Sequence, residues 1–84
     1  MDSVTKLINN SSKLIGTRQV LKAIIHGDIT QVIIAANTDE GLREQITAEC
    51  KIGNIPFQIA LTKSELGKLC KLDVPCAVVG LLKT

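Results

Sequence analysis

Aromatic residues are almost missing from this sequence: Phe57 stands alone among 84 residues, with no Trp and no Tyr. Reading single-stranded nucleic acid by base stacking needs several aromatic side chains on one surface, so that mode of binding is excluded. Long hydrophobic runs are missing as well, and none approaches the roughly 18–20 residues of a membrane span. Asp2 precedes any apolar stretch, unlike a secretory signal, so a cytoplasmic protein is expected. Cysteine is scarce. Cys50, Cys70 and Cys76 are odd in number and include no Cys-x-x-Cys pair, which points away from a disulfide framework and a zinc site and toward small buried hydrophobes. Two prolines and six glycines, with 45% apolar and 21% charged residues, exclude collagen-like, disordered and low-complexity chains. Residues 1–84 are expected to form one domain, because the chain is too short for two.

What is present is aliphatic. A domain of this size buries about 60–65% of its unfolded-chain surface, so Ile, Leu, Val and Ala must be used mainly in packing, with little left for an internal ligand cavity. The net charge of +2 hides a pattern. Residues 1–27 carry Lys6, Lys13, Arg18 and Lys22 against Asp2. Residues 28–49 carry Asp28, Asp39, Glu40, Glu44 and Glu49 against Arg43, and the remainder sets five lysines against Glu65 and Asp73. A fold that joins the two basic segments gains a positive face; charge spread over a solvated surface has the same composition.

Helical and strand signals alternate along the chain. Val4, Leu7, Ile8, Leu14 and Ile15 fit one helical apolar face, but Asn9, Asn10, Ser11 and Ser12 are poor helix residues; if they break it, the first helix stops near Asn9 and a short strand follows at Lys13 to Ile15. Gly16 permits a turn and Thr17 is the expected cap of a helix that points Val20, Leu21, Ile24 and Ile25 inward and ends at Gly27. The run from Val32 to Ala36 reads as a central strand covered on both faces. Asn37, Thr38 and Asp39 offer caps for a helix with Leu42, Ile46 and Cys50 inward, closed near Gly53. Ile55 to Leu61 reads as a strand, and Thr62 to Glu65 has the form of a capping box before a short helix ending near Lys71. Cys76 to Leu82 supplies the last strand. The order predicts a layered α/β sandwich.

Catalytic signatures are lacking. His26 lies beside Gly27 at a helix end with no nucleophile signature around it, and no phosphate-cradling glycine loop occurs, so no enzyme and no cofactor are expected. More informative is Gly16 to Lys22. With Val20, Leu21, Ile24 and Ile25 inward, Arg18, Gln19, Lys22 and His26 share the solvent stripe, where a free helix start holds a phosphate and Gln19 and Lys22 reach base edges beside it. A capped helix with a solvated polar face has this pattern too.

Several ordered signatures then fall into place together. Gly16-Thr17-Arg18-Gln19 with Lys22, the run Val32 to Ala36, Ile55-Pro56, Lys63-Ser64-Glu65-Leu66-Gly67-Lys68 and the segment Leu72 to Ala77 resemble the kink-turn RNA-binding ribosomal protein family of L7Ae and L30e, in particular its short bacterial members. The resemblance spans Val4 to Leu82. It implies a single-domain three-layer αβα sandwich with a small mixed sheet that binds RNA kink-turns, sharply bent internal loops with tandem sheared G·A pairs. By match, Arg18, Gln19 and Lys22 read guanine edges, with Gly16 and Thr17 permitting close backbone approach. Leu72, Asp73 and Val74 pack on a flipped-out nucleotide, and Asp39 contributes near the bulge.

Three positions depart from the family pattern. Arg18-Gln19 replaces Asn-Glu, so the carboxylate that accepts guanine donors is absent and Gln19 offers only its amide oxygen. Arg43 stands where many relatives have an apolar residue in the following helix, and the expected consequence is a packing contact exchanged for a phosphate contact. The implied partner is structured RNA, ribosomal RNA or a riboswitch, bound by a monomer, and Lys83 near the chain end is expected to take no part. The rival reading is a protein-interaction or scaffold domain that uses the apolar loop Leu72 to Pro75. A small-molecule domain is disfavoured by the missing phosphate loop.

Overall fold

The alternation of signals is realised in the computed structural model, which describes residues 3–82. The chain runs α1 (Ser3–Asn9), β1 (Lys13–Ile15), α2 (Thr17–His26), β2 (Ile29–Ile34), α3 (Glu40–Ile52), β3 (Phe57–Ile59), α4 (Lys63–Leu69) and β4 (Val78–Leu82). Asp2 and Lys83 lie outside the described residues. The sheet order is β1-β4-β2-β3, with β4 antiparallel to both β1 and β2, and β2 parallel to β3.

Side chains on a strand alternate between faces, and the apolar run in β2 uses both. Ile33 packs with Val4, Ile8, Leu66 and Val79, which places α1 and α4 on one face. Val32 and Ile34 pack with Val20, Ile24, Ile46 and Cys50, which places α2 and α3 on the other. The result is a small α/β domain of three layers around a mixed sheet, as the resemblance implies. Cys50, Cys70 and Cys76 are buried and unpaired, so they pack as apolar residues.

Local chemistry sets the boundaries. Gly27 adopts φ 77°, and the N–H groups of Gly27 and Asp28 close α2 onto the carbonyls of Ile24 and Ala23 at 3.1 and 3.0 Å. Both arms of the Thr62–Glu65 capping box form: Thr62 N–H donates to Glu65 Oε1 at 2.9 Å and Glu65 N–H donates to Thr62 Oγ1 at 3.2 Å.

Several expectations need correction. Thr17 does not cap α2; it is the first helical residue, and the cap is Gly16 at φ 105°, a region that favours glycine, with no side-chain cap bond. Ile25 does not face inward but is 72% exposed. With Val20 and Ile24 fixed on the sheet, Ala23 completes the buried stripe and Ile25 falls about 100° away from Ile24, next to Lys22. The central strand stops at Ile34, so Ala36 lies in the following turn, exposed. β3 is shorter than residues 55–61, because Pro56 brings no N–H to the ladder and Leu61 turns to φ 66°. α4 ends at Leu69 rather than Lys71, which adopts φ 60°, and β4 starts at Val78, two residues after Cys76.

Candidate nucleic-acid interface

Strand directions collect the candidate residues. Because β1, β2 and β3 all run antiparallel to β4, their C-terminal ends meet the start of β4 along one edge of the sheet; Ile15 pairs with Val79, and Ile34 pairs with both Val78 and Ile59. The helices that follow those strands, α2, α3 and α4, therefore all begin at this edge. Of the three helix starts only α2 has no side-chain cap, so its unpaired N–H groups and partial positive charge are what this edge offers an anion, while Asp39 caps α3 and the Thr62–Glu65 box caps α4.

Three loops are joined there by hydrogen bonds. The carbonyl of Ala77, entering β4, accepts from Ala35 N–H at 2.8 Å and from the Thr38 hydroxyl at 3.2 Å. Ala36 N–H donates to Leu61 O at 2.7 Å, and Lys63 N–H donates to Asn37 Oδ1 at 2.8 Å, which ties the turn after β2 to the start of α4. Cys76 N–H donates to Lys63 O and Leu72 N–H to Gly67 O, each at 2.9 Å, so both ends of the Leu72–Cys76 loop hang on α4. The Cys76 thiol donates to Val78 O at 3.2 Å, and the pairing of Ile15 with Val79 sets the turn at Gly16 beside this entry to β4.

The edge brings together Gly16, Thr17, Arg18 and Gln19 at the start of α2, Asp39 at the start of α3, and Leu72, Asp73 and Val74 before β4. Arg18, Gln19 and Lys22 are exposed, with Lys22 one turn along α2 from Arg18. Arg43 is half-buried one turn into α3. Asp39 is the N-cap of α3 and accepts from Leu42 N–H at 3.4 Å, so its carboxylate has a structural task of its own. Within the loop, Leu72 is half-buried against the α1–α4 side of the core, Asp73 is exposed, and Val74 is 62% exposed.

Two residues that shape this edge lay outside the candidate set. Thr38, 6% exposed, is the one buried polar side chain among the described residues, and Asn37 bridges to α4. Their sequence signal, Asn-Thr-Asp after an apolar strand, reads equally as local capping, because the partners are 26 and 39 residues away. Catalytic equipment does not gather here. His26 is exposed at the far end of α2, and no cluster of three or more metal-ligating side chains occurs among the described residues.

The family described as "Ribosomal protein L7Ae/L30e/S12e/Gadd45 family" matches residues 1–84. The chain is 33% identical over 81 residues to the RNA-binding protein YbxF of Geobacillus stearothermophilus, covering 96% of this chain and 99% of that one. It is 27% identical to the large ribosomal subunit protein eL30 of Methanocaldococcus jannaschii, over 95% of this chain and 74% of that one. Among solved structures, a 15.5 kD RNA-binding protein of Giardia lamblia superposes with a TM-score of 0.89 at 24% identity, covering 96% of this chain and 72% of that one. With the fold, the order of signatures and the match along its whole length in agreement, the chain belongs to the L7Ae/L30e/S12e/Gadd45 ribosomal protein family.

Proposed function

We propose that this chain is a non-enzymatic RNA-binding protein that recognises kink-turns with tandem sheared G·A pairs in structured RNA, acting as a cytoplasmic single-domain monomer. The observation that carries the reading is the shared edge. The start of α2, with exposed Arg18 and Gln19, lies at the same edge as a loop that offers an exposed aliphatic Val74, and hydrogen bonds tie that loop to α4 and its far end to the turn after β2.

In this reading Gly16 and Thr17 bring the α2 backbone close to a phosphate, and Lys22 lies alongside the groove. Arg18 donates to guanine acceptors and Gln19 accepts through its amide oxygen. Leu72, Asp73 and Val74 receive the flipped-out nucleotide, Asp39 serves the bulge with the oxygen not used in capping, and Arg43 meets a phosphate. A preformed bend supplies much of the specificity through shape, which removes the need for aromatic platforms. With about three or four phosphates neutralised, log affinity falls against log salt with a slope of roughly −2 to −4.

The test is a calorimetric titration of a kink-turn stem, from ribosomal RNA or a riboswitch, beside the same stem with its G·A pairs changed to Watson–Crick pairs. Binding is expected for the first stem only. Equal affinity for both would sink the kink-turn reading, and indifference to both would favour a protein partner at Leu72 to Pro75.

A further inference from the structure

Resting on that reading, we infer that Gly67 is a positioning residue for RNA recognition: α4 serves as the backbone template on which the Leu72–Val74 loop is shaped, and Gly67 is where the two backbones touch. Gly67 lies in the middle of α4 and is buried. A methyl group added there would overlap the carbonyl oxygen of Val74 and stand 3.3 Å from Pro75 Cα. Both obstacles are backbone, so no rotamer change relieves them. A carbon–oxygen contact of this kind normally stays at about 3.3 Å or more, and the Val74 peptide must move outward by on the order of an ångström.

Movement of that peptide moves the site. The loop is held at Leu72 by Gly67 O and at Cys76 by Lys63 O, each at 2.9 Å, and Lys63 is itself held by Asn37. With both ends pinned, a push at Gly67 is absorbed between them, where Asp73 and Val74 are exposed. Gly67 touches no RNA in this scheme, and α4 needs no glycine there for its own geometry, because only the close approach of the loop requires one.

Gly67→Ala is expected to bind the kink-turn stem about tenfold or more weakly, mainly through faster dissociation. The loss should vanish on a stem whose flipped-out nucleotide is replaced by an abasic linker, since the displaced loop then has nothing to miss. A loss equal on both stems means a general loss of folded protein and overturns the inference, as does unchanged affinity for the intact stem. Val74→Asp, an exposed change within the loop, tests the underlying reading separately. If it leaves affinity unchanged, the loop is not in the site; if it weakens binding while Gly67→Ala does not, the loop binds RNA without help from Gly67. Should Gly67→Ala fail to fold, hydrogen exchange on the unaltered chain decides. The Leu72 and Cys76 amides are expected to be protected in the absence of RNA, and exchange at free-peptide rates would overturn the template.

Discussion

Thr38 donates its hydroxyl to the carbonyl oxygen of Ala77 across 39 residues of sequence, at 3.2 Å, and that oxygen also takes the N–H of Ala35 at 2.8 Å. One carbonyl thus fixes the turn after β2 against the entry to β4. Thr38→Val keeps the shape of the side chain and leaves Ala77 O with its backbone donor, so no acceptor is orphaned. The expected cost is about 1 kcal/mol in urea denaturation. A loss several times larger would show that the hydroxyl holds the edge together by itself.

Charge at α2 should matter by position. Lys22→Glu puts a negative charge on the exposed stripe next to Arg18 and is expected to lower affinity for the kink-turn stem by about tenfold or more. Lys51→Glu, in the last turn of α3 away from the candidate edge, is expected to change it little. Similar losses from the two, read by gel shift at one salt concentration, would indicate unspecific electrostatics.

Asp39 has two possible tasks, and two substitutions separate them. Asparagine caps a helix about as well as aspartate, whereas alanine costs about 1 kcal/mol. Asp39→Ala should lower stability while Asp39→Asn leaves it nearly unchanged. The proposed contribution near the bulge predicts that Asp39→Asn also weakens RNA binding. Tighter binding would show that the carboxylate only repels phosphates, and would take Asp39 out of the site.

Burial pushes the thiols of Cys50, Cys70 and Cys76 above the ordinary value of 9.0, with Glu49 adding to the effect at Cys50 and Cys76 at Cys70; neighbouring backbone groups partly offset it at Cys76. A group whose folded pKa is raised keeps its proton longer in the folded chain. Its contribution to stability is complete below the unfolded value and is lost as pH rises through the folded one. Denaturation midpoints are therefore expected to fall as pH rises above about 9. The thiols should also react slowly with an aromatic disulfide reagent at neutral pH and quickly once the chain is unfolded, because the thiolate is the nucleophile. Fast labelling of the folded protein would contradict this burial.

The sequence by itself determined the order of helices and strands, because apolar spacing and capping residues act over a few positions. The Thr62–Glu65 box and the left-handed Gly27 follow from groups that meet their partners within one turn, and the unbroken apolar run of β2 shows by itself that both its faces are covered, though not by which helices. It also carried the family signatures around Gly16 and Leu66. Tertiary structure alone decided which three helix starts share an edge, since that depends on β4 pairing with both β1 and β2. It decided that Ile25 is exposed while Ala23 is buried, because the sheet chooses which face of α2 it covers. Periodicity offers Ile24 and Ile25 alike. The single aromatic, Phe57, excluded stacking from the start. The residues of the surface proposed in its place were named by the family resemblance, but that the glycine-capped start of α2 and the loop shaped on Gly67 share one edge came from strand pairings between segments far apart in the chain.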